Sequence, residues 1–318
     1  MARDQNNKKG IRFRKPSTRA FRREGKRLED YSFFDWLHGY LYSRWPYFYI
    51  RVGIGEHNLS RFFVPLWNLI TKIFQINSAD KDDPERVTFA DSYHGKVVAP
   101  GEARQLVSVK QDIDLRNLDK IIPYKKARDI VLQNPESIVV LDCPCRMARP
   151  NPCLPLDVCL VIGEPFASFT IEHHPGHSRR ITSEEAVKII EEEHARGHVQ
   201  HAFFKDAMLN RFYAICNCCS CCCGAMQAWR NGVPMLESSG YVARVNPEDC
   251  ELCGQCAEIC PFGVIKMTDE TVLIDETTCM GCGICVSHCP QNALTLARDS
   301  RKSEPLIIEK LIQDEITK

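Results

Sequence analysis

This sequence has no run of ~18 uninterrupted apolar residues, so a membrane-spanning helix is not expected. Its best apolar segment, RFFVPLWNLITKIF, is short and interrupted by Pro65, Asn68 and Lys72. No apolar stretch follows the basic N-terminus, so no export signal is expected. Arg22-Arg23 leads into EGKRLEDY, which lacks the hydrophobic segment of a twin-arginine leader. There is no G-x-G-x-x-G after a strand, no phosphate-binding G-x-x-x-x-G-K and no G-x-S-x-G. Nucleotide-binding and hydrolase signatures are therefore missing; a flavin held without a motif stays open. Net charge is also missing, with 41 basic and 41 acidic residues.

What is present is cysteine: 18 in 318 residues. A chain that is not exported keeps its thiols in a reducing compartment, where dense cysteines hold metal rather than disulfides. The zero net charge hides an uneven distribution. Residues 1–27 carry eleven Lys or Arg against Asp4 and Glu24, which leaves the remainder acidic.

Composition suggests five regions in an α+β chain. Residues 1–30 read as a basic, mostly disordered arm, and 31–90 as an aromatic helical segment for docking or for an interface. Within the latter, Phe63, Leu66, Ile70 and Ile73 recur at helical spacing. Residues 91–235 read as a cysteine-rich mixed α/β domain. There RQLVSVKQDIDL suggests a strand, PYKKARDIVLQ a helix and SIVVLD a strand. ITSEEAVKIIEEEHARG is the clearest helix, with Thr182 and Glu185 as a capping box and Gly197 at its end. Residues 236–299 hold an internal repeat, and 300–318 a closing helix spanning roughly 304–315.

The repeat is the most specific signal. Cys250, Cys253, Cys256 and Cys260 are spaced C-x2-C-x2-C-x3-C before Pro261. Cys279, Cys282, Cys285 and Cys289 repeat the phrase before Pro290, 29 residues later. A [4Fe–4S] cubane needs four converging thiolates. Three on one tight loop wrap three corners, and the fourth must come from elsewhere. This region resembles the bacterial two-[4Fe–4S] ferredoxin family in all eight cysteines and both prolines. The resemblance implies a ferredoxin-like βαββαβ dicluster fold behind the mixed α/β domain. It also implies that the last cysteine of each run serves the other cluster. Cluster one then takes Cys250, Cys253, Cys256 and Cys289; cluster two takes Cys279, Cys282, Cys285 and Cys260. Zinc held by the C-x-x-C pairs is the competing reading.

Ten cysteines lie outside the repeat: Cys143, Cys145, Cys153, Cys159, Cys216, Cys218, Cys219, Cys221, Cys222 and Cys223. Six of them fall within ICNCCSCCCG. So many adjacent thiolates repel one another unless a metal neutralises them, and left as thiols they invite oxidation. They are candidate ligands for one or two further iron–sulfur clusters, or for zinc. Cys159, in VCLVIG, also reads as a buried core thiol. Ten does not divide by four, and a cluster with more than four protein thiolates would use more of them. Cys222-Cys223-Gly224 resembles the CCG element of heterodisulfide reductase-type cysteine-rich domains, but the separated flanking cysteines of that family are not in the required order. The whole arrangement is similar to a poorly characterised group of ferredoxin-type proteins with a cysteine-rich front domain.

His173, His174 and His177, with His198 and His201, read as surface loop residues, against a metal or proton-transfer role. The arm and aromatic segment suit a partner protein, an anionic membrane surface, or a cover over the core. A nucleic-acid partner is not expected, since no reader motif accompanies the arm. The expectation is an electron-transfer protein with two [4Fe–4S] clusters, serving a redox partner in the cytoplasm or at the inner face of the membrane. An oxidoreductase subunit with its own front active site is the alternative.

Overall fold

A computed structural model describes residues 15–58, 60 and 87–317. The helix expected around Phe63 to Ile73 lies outside the described residues. The front half is built on one mixed sheet. Its strands are β1 (Tyr93–Val97), β2 (Ile113–Leu115), β3 (Ile130–Asp142), β4 (Asp157–Glu164), β5 (Ser178–Ile181), β6 (Val199–Lys205), β7 (Arg211–Cys218) and β8 (Leu236–Glu237). The spatial order is β2-β3-β4-β7-β6-β1-β8, with β5 also pairing β3. Every pairing is antiparallel except β1 with β8. The central strands β4, β6 and β7 are buried on both faces because helices and loops cover both sides.

Three helices precede the sheet: α1 (Pro16–Gly25), α2 (Phe33–Arg44) and α3 (Pro46–Gly53). The basic arm is therefore not disordered from Pro16 onward. Phe21 is fully buried, with its ring 5.6 Å from Phe166 and 6.0 Å from Phe169. Burying one such ring contributes about 1.5–3 kcal/mol. Glu24 adds a 2.6 Å ion pair to the buried Arg211. The capping box of α2 is complete, Ser32 and Asp35 each accepting the other's backbone N–H.

Helices α4 (Phe89–Ser92) and α5 (Pro100–Val107) flank β1. The strand expected from RQLVSVKQDIDL is thus half wrong. Pro100 opens α5, and Ala103, Leu106 and Val107 are buried at helical spacing; only Ile113–Leu115 is extended. The helix expected from PYKKARDIVLQ does not form. Ala127 turns at φ 51°, its N–H donating to Asn210 Oδ1 at 2.8 Å, and the β-branched pair Ile130-Val131 enters β3 instead. SIVVLD is indeed strand, within β3.

After β3 come α6 (Pro144–Met147), α7 (Phe166–His173), α8 (Ser183–Ala195) and α9 (Gly224–Arg230). In α8 only half the capping box is made. Thr182 Oγ1 accepts from Glu185 N at 3.2 Å, while the Glu185 carboxylate bonds Arg179 at 2.5 Å. Gly197 follows in a left-handed conformation, φ 80°. Two of the histidines read as surface residues are core residues: His174 is 7% exposed and His201 0%. His201 was missed because a β-strand alternation hides which polar residue faces inward.

The C-terminal half runs β9 (Tyr241–Val245), α10 (Gln255–Ile259), β10 (Ile265–Met267), β11 (Val272–Ile274), α11 (Ile284–Ser287) and β12 (Leu294–Arg298). β9 pairs β12 and β10 pairs β11, both antiparallel. Helix α12 (Ile308–Ile316) closes the chain, starting four residues later than expected. Just before it, Ser303 Oγ and Glu304 O accept from the buried Lys96 of β1 at 2.6 and 2.9 Å. No helix among the described residues is long and apolar enough to cross a membrane.

Candidate metal centres

The eight cysteines of the repeat converge in two sets. Cys250, Cys253, Cys256 and Cys289 line one cavity of about 20 Å³. Cys260, Cys279, Cys282 and Cys285 line another of about 20 Å³. Backbone amides are aimed at sulfur: Ala293 N lies 3.3 Å from Cys289 Sγ, and Ala243 N 3.5 Å from Cys279 Sγ. Burial pushes the Cys285 thiol up to about 12 and raises that of Cys282 further. Such thiols ionise only with a cation beside them, and bound iron would supply it. The loops also need glycine. Gly281 sits at φ 63°, and a Cβ there would lie 2.2 Å from Tyr241 O. Both quartets therefore fit a cubane in ligand number, placement and amide donors.

The ten front cysteines divide into four and six. Cys153, Cys219, Cys221 and Cys222 have all ligand atoms within 4.8 Å of one another, the one set so compact among the described residues. Cys153 Sγ and Cys221 Sγ are 2.8 Å apart. Four thiolates around one tetrahedral ion at ~2.3 Å stand about 3.8 Å apart, so this quartet fits a single ion such as zinc.

The other six form an open ring, linked in the order Cys216, Cys159, Cys143, Cys145, Cys223, Cys218. Cys159 of β4 and Cys216 of β7 are cross-strand neighbours, and Cys218 follows two residues on, so all three point to one face. Cys143 hydrogen-bonds Cys159 and Cys145, Cys145 bonds Cys223, and Cys223 bonds Cys218. Cys143 is pushed down because Cys145 and Cys159 donate to it; those two are pushed up in turn. Cys159 is both a core thiol and a member of the ring. All 18 cysteines are free of disulfides.

Several residues that matter here carry no obvious signal in the sequence. Arg146 is fully buried in α6, directly after Cys145. Its guanidinium donates to Glu193 at 2.5 Å and to Asn217 O at 3.2 Å, tying the Cys143 loop to α8 and β7. Glu193 is held below the usual carboxylate range: burial opposes this, and bonds from His198 and Arg146 outweigh it. Arg149 reaches Glu56 and Gln227, both at 2.7 Å, and braces the six-cysteine segment through Cys222 O. A basic residue closing CPCR was the one clue. Between the halves, the Trp229 ring of α9 stands 5.2 Å from Phe262, which lines the second repeat cavity.

Comparison with known proteins bears on the C-terminal half. The 4Fe-4S binding domain model matches residues 243–266 and 272–295. A pyruvate synthase subunit of Methanocaldococcus jannaschii is 34% identical over 74 residues, 23% of this chain and 76% of that protein. An uncharacterized ferredoxin of the same organism is 32% identical over 84 residues, 25% of this chain and 48% of the relative. One component of an ion-translocating oxidoreductase complex from Methanosarcina acetivorans is 43% identical over 47 residues, 15% of this chain and 18% of the relative. The chain thus spans less than half the length of these last two relatives. With that domain model covering both cysteine runs, and a relative 34% identical of which this chain covers 76%, the chain belongs, through its C-terminal domain, to the 4Fe-4S ferredoxin family.

Proposed function

We propose that this protein passes single electrons through two [4Fe–4S] clusters as a subunit or partner of a larger redox system. Cluster one would be held by Cys250, Cys253, Cys256 and Cys289, and cluster two by Cys279, Cys282, Cys285 and Cys260. The observation that carries this reading is the pair of small cavities, each lined by one such crossed quartet. The βαββαβ order of the C-terminal elements supports the same reading. When bound, each cluster accepts and gives up one electron. The chain's own part is to exclude water with Val242, Ile265 and Leu294, all buried, and to aim amide N–H groups at sulfur. Both shift the reduction potential.

The exposed rings of Phe33, Phe34, Trp45 and Phe48 offer anchors for a partner protein. Their inward neighbours Trp36 and Tyr42 cover the core, so the aromatic segment serves both roles. Anionic-vesicle sedimentation separates a protein partner from a membrane surface. The electron-transfer reading is tested by purifying the chain without oxygen and adding dithionite. Two interacting one-electron paramagnetic signals from about eight irons are expected; a colourless, silent protein overturns it. The six front cysteines gathered around Cys159 and Cys216 favour a second reading, an additional centre with a site of its own.

A further inference from the structure

The ring of six front cysteines opens onto a cavity of about 250 Å³, more than ten times either repeat cavity. Six thiolates are also two more than the corners of one cubane use. We infer that Cys143, Cys145, Cys159, Cys216, Cys218 and Cys223 hold an iron–sulfur core larger than a cubane. We infer further that the rest of the chamber admits a small uncharged molecule to that core. The inference goes beyond electron transfer and needs the ferredoxin half only as an electron source.

Three observations converge on it. First, the sulfurs come from three separate segments, and each segment is braced. Arg146 holds the Cys143 loop, the β4–β7 register fixes Cys159 against Cys216, and Arg149 supports the six-cysteine segment. A group of thiols that served only as packing would need no buried guanidinium beside it. Second, His201 is fully buried in register with Cys216, on the same sheet face. Apart from a loose contact with the Val199 backbone, its ring nitrogens have no partner among the described residues. A buried imidazole without partners is costly, and a cluster sulfide beside Cys216 would satisfy it.

Third, the far wall suits a ligand rather than more metal. Tyr42 Oη lies 2.8 Å from Tyr213 Oη and 3.4 Å from Tyr93 Oη, and all three residues line the chamber. The ammonium of Lys205 sits 4.6 Å from the centre of the Tyr93 ring. Around these hydroxyls the wall is phenylalanine and aliphatic, among them Phe166, Phe169 and Ile50. The ligand that matches is small and neutral, with an apolar body and one hydrogen-bonding group. Phe89, also in the lining and 47% exposed, brings the chamber to the surface.

The test uses the full chain reconstituted with iron and sulfide under nitrogen, and n-butyl isocyanide as a neutral iron-binding probe. Wild type should carry more than about four irons that the double variant Cys159→Ser/Cys216→Ser loses, while the ferredoxin signals persist. A loss of four irons or fewer overturns the larger core. Isocyanide should shift the spectrum of wild type and of Cys256→Ser, but not of the double variant. Ala214→Phe, which fills part of the chamber and removes no thiol, should keep its iron and lose the isocyanide response. A response that survives Ala214→Phe, or is absent from wild type, overturns the ligand site. Should the double variant fail to fold by circular dichroism, wild type and Ala214→Phe still decide: total iron at or below about twelve, or an unchanged response, sinks the proposal.

Discussion

The two halves of this chain both gather cysteine, but by opposite means. In the C-terminal half each loop brings three cysteines within seven residues to one cavity, and the other loop returns the fourth. The gathering of sulfur there is local, and the domain is little more than a wrapper for it. In the front half the ring draws on the Cys143 loop, on β4, and on the end of β7 with the turn that follows. Its geometry exists only once the sheet has formed. Local ligation yields a small enclosed cavity sized to its contents. Ligation across a sheet leaves a wide chamber with walls of other chemistry. A centre of the first kind is suited to relay, and one of the second kind has room for something besides metal.

The sharpest way to break this contrast is to remove one thiol from each half. Cys256→Ser should cost about four irons and one paramagnetic signal, with the front half intact by circular dichroism and zinc content. If it also empties the front centres, the halves are not independent. Next in size is Arg146→Met. It takes from the buried Glu193 the partner that is itself fully buried, and leaves the carboxylate to Arg196 and His198. Urea unfolding should show a loss of about 3 kcal/mol confined to the front half, from the charge-assisted bonds that Arg146 makes.

A smaller effect tests the seam between the halves. Burial lowers Lys96 to about 7, against an ordinary lysine value of 10.5. Between those limits the unfolded chain holds the proton that the folded chain has released. Stability therefore rises with pH through this window, by at most about 1.4 kcal/mol per unit, and falls again toward neutrality. Urea midpoints at pH 7 and 9 should differ for wild type and much less for Lys96→Met. The smallest expected change is Thr182→Ala, which removes the N-cap of α8 and should cost about 1 kcal/mol in the same assay.

The contrast also explains what the sequence disclosed. The spacing C-x2-C-x2-C-x3-C-P carries the resemblance to two-cluster ferredoxins, and that resemblance is what implied how the eight repeat cysteines group. The helix at Ser183–Ala195 and the strand in SIVVLD were legible because period and caps agree. The division of the front cysteines was not legible. Adjacent Cys218 and Cys219 belong to different sets, because Cys218 ends a strand and Cys219 begins the turn beyond it. Only the register of β4 on β7 reveals that Cys159 is a neighbour of Cys216. The order in α1 was hidden for a similar reason. A run dominated by Arg and Lys reads as solvated, yet one phenylalanine, Phe21, finds a slot between two rings 145 or more residues away.

The stretch joining the halves has a practical consequence. Ser239 Oγ donates to Gly281 O at 2.7 Å, and Tyr241 O lies against the Gly281 backbone, so the linker forms part of the second cluster loop's bed. β8, two residues upstream, is simultaneously an edge of the front sheet. A fragment cut where the recognisable domain begins, at residue 243, would therefore lack the floor on which its second loop rests. The bed of that loop thus begins upstream of the recognisable domain, and anyone excising the small domain for study should start before Ser238.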